Sequence, residues 1–106
     1  MRYVFDLDGT LCKTERDFYE EAKPIKSRIK KVNKLFDEGH TIIIYTARGG
    51  TTGVDWTKVT KKQLKKWNLK YHELKLGKPS GDIYVDDKSS LPERFFDGNF
   101  SYSYFL

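Results

Sequence analysis

The chain has 106 residues, 38% of them hydrophobic and 33% charged, and its 20 basic and 15 acidic side chains leave a net charge of +5. That is the size of one domain, spanning residues 1–106, with material for a core but little room for a second module. The longest apolar stretch, Ile42 to Tyr45, is too short to cross a membrane, Asp6 and Asp8 break the only signal-like run, and a single cysteine, Cys12, excludes an internal disulfide; together these predict a cytoplasmic protein with no membrane partner.

A first strand is predicted over about Arg2 to Asp6, running into Val4-Phe5-Asp6-Leu7-Asp8-Gly9-Thr10. Side chains alternate along a strand, so Asp6 and Asp8 share a face at its carboxyl end. Two such carboxylates repel unless a cation lies between them, and a hard cation such as Mg²⁺ takes oxygen ligands. An acidic turn is the bland alternative, but a DxDGT sequence after an apolar strand is far rarer than a bare DxD. Cys12 follows closely and reads as a small buried hydrophobe.

Ile25, Ile29, Val32, Leu35 and Phe36 recur at helical spacing between Pro24 and Gly39, which predicts a first helix over about Pro24 to Glu38. A second strand, Thr41 to Tyr45, leads to Thr46-Ala47-Arg48 and a glycine-rich loop. Asp55 is placed to cap a second helix ending near Trp67, with Trp56, Val59, Leu64 and Trp67 on its inner face. Lysines crowd the outer faces of both helices, which reads first as solvated surface and second as a site for a polyanion. Short strands are predicted at Tyr71 to Leu74 and Asp82 to Val85. The alternation indicates βαβ units, hence an α/β fold with a parallel Rossmann-like sheet covered by helices in three layers. Sites in such sheets lie beyond the carboxyl ends of the strands, where Asp6, Thr46 and Asp86 converge. The last twelve residues hold six aromatics, and Phe100 to Tyr104 alternates as a strand does. Packing on its own domain is the default for this tail; a homo-oligomer contact is the sharper reading.

The ordered set Asp6-Leu7-Asp8-Gly9-Thr10, Thr46, Lys78 in Gly77-Lys78-Pro79, and Asp86-Asp87 after an apolar strand resembles the four motifs of the haloacid dehalogenase (HAD) superfamily of phosphotransferases. The resemblance covers most of the chain from Tyr3 to Asp87 and implies a HAD-like core. It implies that Asp6 is the nucleophile and that Asp8 is the general acid, then base. Thr46 and the backbone N–H of Ala47 would bind phosphoryl oxygens, and Lys78 would set an ammonium against Asp6 and the phosphate. Mg²⁺ would be held by the side chains of Asp6 and Asp86 and the backbone carbonyl of Asp8, with Asp87 assisting. Arg48 could reach either the substrate or an acidic residue. Asp82 is rejected as a ligand because it precedes its strand. Neither Thr10 to His40 nor Gly49 to Gly77 has room for an inserted cap domain. Segments such as AKPIK, TARGGTTG and GKPSGDIYVDDK look most like small phosphatases linked to capsule or surface polysaccharide biosynthesis. The reading that follows is a phosphomonoesterase acting on a sugar phosphate. The alternatives are a polynucleotide 3′-phosphatase and, from another class, a catalytically silent binding module.

Overall fold

The computed structural model describes residues 1–50 and 52–98. Strand β1 (Arg2–Phe5) pairs in parallel with β4 (Thr41–Thr46), and β4 pairs in parallel with β5 (Glu73–Leu76), giving a three-stranded sheet ordered β1-β4-β5. Helix α1 (Lys26–Asp37) carries the chain from β1 to β4, and α2 (Thr57–Lys66) from β4 to β5. Between β1 and α1 lie two short strands, β2 (Cys12–Lys13) and β3 (Lys23–Pro24), which pair antiparallel, and a 3-10 turn at Tyr19–Glu21. Helix α3 (Pro92–Asp97) ends the described chain. This is a small α/β fold with a parallel sheet of Rossmann type.

The β-branched run Ile42-Ile43-Ile44 forms the central strand, and all three side chains are buried, Ile42 and Ile44 in the core cluster and Ile43 on the opposite face beside Val4. The core lies on one face of the sheet. Phe5, Ile42 and Ile44 meet Ile29 and Val32 of α1, Leu64 of α2 and Phe95 of α3. Truncating Ile42 or Ile44, both fully buried, to alanine would cost about 2–5 kcal/mol. Phe95 and Phe96 pack on Phe5, and Phe95 also on Tyr3, so the start of the aromatic tail serves its own domain. The expected strand Phe100 to Tyr104 lies outside the described residues.

Several expectations need correction. Among the described residues the helices pack on one face of the sheet, giving two layers where three were expected, and Val4 on the opposite face is 59% exposed. The segment Asp82 to Val85 forms no strand: Ile83 and Val85 are 82% and 93% exposed, and every residue from 81 to 90 is exposed. Helix α1 begins at Lys26, not Pro24, because Pro24 pairs with Cys12 in the β2–β3 ladder. Asp55 does act at the start of α2, but one residue earlier than a regular cap: its carboxylate accepts from both the backbone N–H and the hydroxyl of Thr57. The last sheet strand is shifted to Glu73–Leu76.

Candidate active site

A pocket of about 300 Å³ opens at the carboxyl ends of β1 and β4. Asp6, Asp8, Ala47, Arg48 and Lys78 line it, with Thr14, Arg16, Tyr19 and Tyr84 around them. Strand β1 stops at Phe5, so the two acids lie in the loop that follows it. That loop is tightly wound. The carbonyl of Leu7 accepts from the N–H groups of Thr10, Leu11 and Cys12, and Gly9 sits at φ +85°, a left-handed conformation that glycine adopts without strain. The winding turns Asp8 back into the pocket beside Asp6. On the other side, Thr46 pairs with Leu76 in register, Gly77 turns the chain at φ +88°, and the N–H of Lys78 donates to the Thr46 carbonyl. Lys78 is thereby delivered to the end of β4, and its Nζ lies 3.6 Å from Asp6 Oδ1.

Arg48 is the largest fully buried side chain, with 2% of its residue surface exposed. Its Nε donates to Asp8 Oδ2 and its Nη2 to Asp8 Oδ1, both at 2.9 Å, a bidentate grip. Nη1 donates to Thr60 Oγ1 at 3.1 Å and Gln63 Oε1 at 2.6 Å, both on α2. The guanidinium also lies 4.9 Å from the centre of the Tyr19 ring. Of the two partners the sequence allowed for Arg48, the acidic residue is the one it meets. Thr14 donates to Asp8 Oδ1 at 2.5 Å, and the Cys12 thiol approaches the same oxygen at 3.4 Å.

These contacts set the two acids apart. Burial pushes the Asp8 carboxyl up, but the hydrogen bonds from Arg48 and Thr14 outweigh it and hold it below the ordinary value. Asp6 goes the other way. Its burial dominates the opposing pull of Lys78 and of the Leu7 N–H, and the charge of Asp8 adds to the rise. Cys12 is pushed up to about 12, by burial first and then by Asp8, so it stays a thiol and is no nucleophile at neutral pH.

Other expected residues lie elsewhere. Thr46 is buried, accepts from the N–H of Arg48 at 3.3 Å, and is not among the residues lining the pocket. Asp86 and Asp87 are exposed and line no part of the pocket. With no strand at Asp82 to Val85 to carry it, Asp86 closes a local turn, accepting from the Lys88 N–H at 2.8 Å. Among the described residues no group of three or more His, Cys, Asp or Glu side chains is clustered to hold a metal.

Tyr84 was hidden inside the expected strand. Its ring covers Lys78, with Nζ 4.2 Å from the ring centre, and its hydroxyl bridges the Pro79 carbonyl and the Gly81 N–H. Thr14, Arg16 and Tyr19 come from a segment with neither helical nor strand periodicity, so no pattern marked them. Thr60 and Gln63 could have been found as polar residues on the inward side of α2.

No protein-family model and no curated protein matches the chain. Among solved structures, the fold is similar to that of an uncharacterised Vibrio cholerae protein, with a TM-score of 0.83 and 25% identity over 98% of this chain and 92% of that one. It is also similar to a chain of the Pnkp1/Rnl/Hen1 complex, with a TM-score of 0.58 and 22% identity, covering 81% of this chain and 31% of that one. The second likeness speaks to the fold alone.

Proposed function

We propose that this chain is a Mg²⁺-dependent phosphomonoesterase of the HAD type, working through a phosphoaspartyl intermediate. The observation that carries the reading is the meeting of Asp6, Asp8 and Lys78 in one pocket from segments about 70 residues apart in the chain. The Asp6 carboxylate would attack phosphorus, forming the acyl phosphate as the ester P–O bond breaks. The departing oxygen takes a proton at Asp8. In the second half, Asp8 takes a proton from water, the water oxygen attacks phosphorus, and the bond to Asp6 breaks. The Lys78 ammonium offsets the charge of a phosphate approaching an anionic carboxylate. The grip of Arg48 keeps Asp8 ionised, which suits the base step; the acid step asks Asp8 to hold a proton against that grip.

The donor set is compatible with Mg²⁺, which uses one or two carboxylates, phosphate oxygens and waters. Asp6 can supply a carboxylate oxygen and the loop its backbone carbonyl at Asp8, whereas both oxygens of the Asp8 side chain are already bonded. We assign the second carboxylate to Asp86, with Asp87 beside it, which requires residues 82–87 to swing from their exposed position toward the pocket. When bound, the ion would supply charge neutralisation between carboxylate and phosphate.

The substrate proposed first is a sugar phosphate, in keeping with the resemblance to polysaccharide-linked phosphatases. The polynucleotide 3′-phosphatase reading is favoured by the open pocket, where the Asp6 and Asp8 side chains remain 35% and 23% exposed, and by the net charge of +5. A screen across sugar phosphates, nucleotides and 3′-phosphorylated oligonucleotides tests both. No Mg²⁺-dependent release of phosphate from any of them, with the chain folded, would remove the enzyme reading in favour of a binding module.

A further inference from the structure

A second concavity lies away from the acids. A groove of about 1270 Å³ runs along the outer side of α1 to the end of α2. Lys23, Lys26, Lys30 and Lys34 line it from one side, and Lys66 and Trp67 from the other, over a floor that includes Ile29. Asp37 and Glu38 close its far end, where Asp37 already meets Lys70 at 2.7 Å. Among the described residues, none of these five lysines forms an ion pair. Lys26, Lys30 and Lys34 repeat every four residues, a row of like charges rising about 6 Å per step along the helix axis. Such a row weakens a helix unless something anionic lies on it. Solvated lysine faces have no need of a groove; Trp67, half-buried against the core, turns its remaining surface to this one. The concave shape, the unpaired cation row and the indole together match the requirements of a single-stranded nucleic acid: phosphates on the ammonium groups and a base on the indole.

We propose that this groove binds single-stranded nucleic acid, with Lys26, Lys30, Lys34 and Lys66 on the backbone and Trp67 stacking a base. In the chain, Ala22 and Lys23 of the groove directly follow the 3-10 turn Tyr19–Glu21, whose first residue lines the acidic pocket. The inference does not rest on the phosphatase reading, and its test needs no hydrolysis.

The test is fluorescence anisotropy of the full chain with a labelled oligonucleotide of about 10 nucleotides carrying no terminal phosphate. Binding should weaken as salt rises. The triple variant K26E/K30E/K34E should lose at least about tenfold in affinity and flatten the slope of log K against log salt by about 2, one increment of about 0.7 for each phosphate that is no longer neutralised. The equal charge change K58E/K61E/K62E, on residues outside the groove, should stay within about threefold of the parent. Trp67→Leu, which keeps an apolar side chain, should weaken binding several-fold. In the unmodified chain the oligonucleotide should shield Lys30, Lys34 and Lys66 from acetylation more than Lys58, Lys61 and Lys62. Equal losses in the two triple variants, uniform shielding, or equally tight binding of a polyglutamate peptide would overturn the proposal by showing diffuse charge attraction or an acidic protein partner.

Discussion

Arg48 holds Asp8 by two parallel hydrogen bonds while its Nη1 reaches back to Thr60 and Gln63 of α2. The guanidinium side chain has no exposed surface. Removing it by Arg48→Ala would leave the part-exposed Asp8 carboxylate with Thr14 and deprive Thr60 and Gln63 of a donor, at a cost of about 3 kcal/mol, the low end for a broken buried pair. Arg48→Lys retains the charge but not the planar fork, so it should recover part of the stability and little of the alignment of Asp8. Chemical denaturation of both variants measures the difference, and equal stability of Arg48→Lys and the parent would show that the fork is dispensable.

Asp6 and Asp8 should respond oppositely to pH. The folded-state value of Asp8 lies below the ordinary 3.8, so its stabilisation is present above 3.8 and is lost as pH falls through the folded value. That of Asp6 lies above 3.8, so its favourable contribution is present below 3.8 and is lost as pH rises through the folded value. Asp6→Asn should therefore melt higher than the parent at pH 7, with the gain shrinking under acid, and should show no turnover of an aryl phosphate. Asp8→Asn should melt lower at pH 7. Melting curves from pH 3 to pH 7 check the signs, and full activity in Asp6→Asn would end the covalent mechanism.

A second consequence concerns the leaving group. Because Asp8 is held ionised, protonating a departing alkoxide should be harder than activating water. Activated aryl phosphates should then form the phosphoenzyme faster than alkyl phosphates, and Asp8→Asn should slow the aryl case less, with a deficit on alkyl substrates of about 10²–10⁴-fold. Single-turnover kinetics with the two ester classes separates the steps.

For the metal, Asp86→Ala should raise the Mg²⁺ concentration for half-maximal activity by at least about tenfold, whereas Asp82→Ala should leave it nearly unchanged. Isothermal titration of Mg²⁺ provides a readout without turnover. Equal effects at the two positions would show that Asp86 remains in its turn with Lys88 and takes no part in binding.

Tyr84 shields Lys78. Tyr84→Leu should weaken phosphate-competitive inhibition by about two- to fivefold by removing a cation–π interaction of about 0.5–1 kcal/mol, and Tyr84→Phe should retain most of it. A larger loss in Tyr84→Phe would shift the role to the hydroxyl that ties Pro79 to Gly81.

The parts legible in the sequence were those with a strong period or a rare local pattern. The Ile42 to Ile44 run marked the central strand, the spacing of Ile29, Val32 and Phe36 marked α1, and Asp6 and Asp8 were readable from DxDGT. The run Ile83 to Val85 has the same β-forming character as Ile42 to Ile44, but propensity records only what suits a half-buried strand, and among the described residues no strand pairs with it. Arg48 was legible as a residue near the site but not as its buried hub, because the partners that neutralise it come from positions 8, 60 and 63. The short β2–β3 ladder was invisible for want of length: two residues per strand carry no alternation to detect.

Gln63 does more than receive Arg48. Its amide also donates to the Tyr19 carbonyl at 2.6 Å, so one side chain of α2 clasps both the arginine and the opposite wall of the pocket. The helix and the site should consequently open as a single cooperative unit. Amide protons along Thr57–Lys66 should exchange in step with those of the Leu7 to Cys12 loop, and with a common denaturant dependence, because release of either one undoes the other.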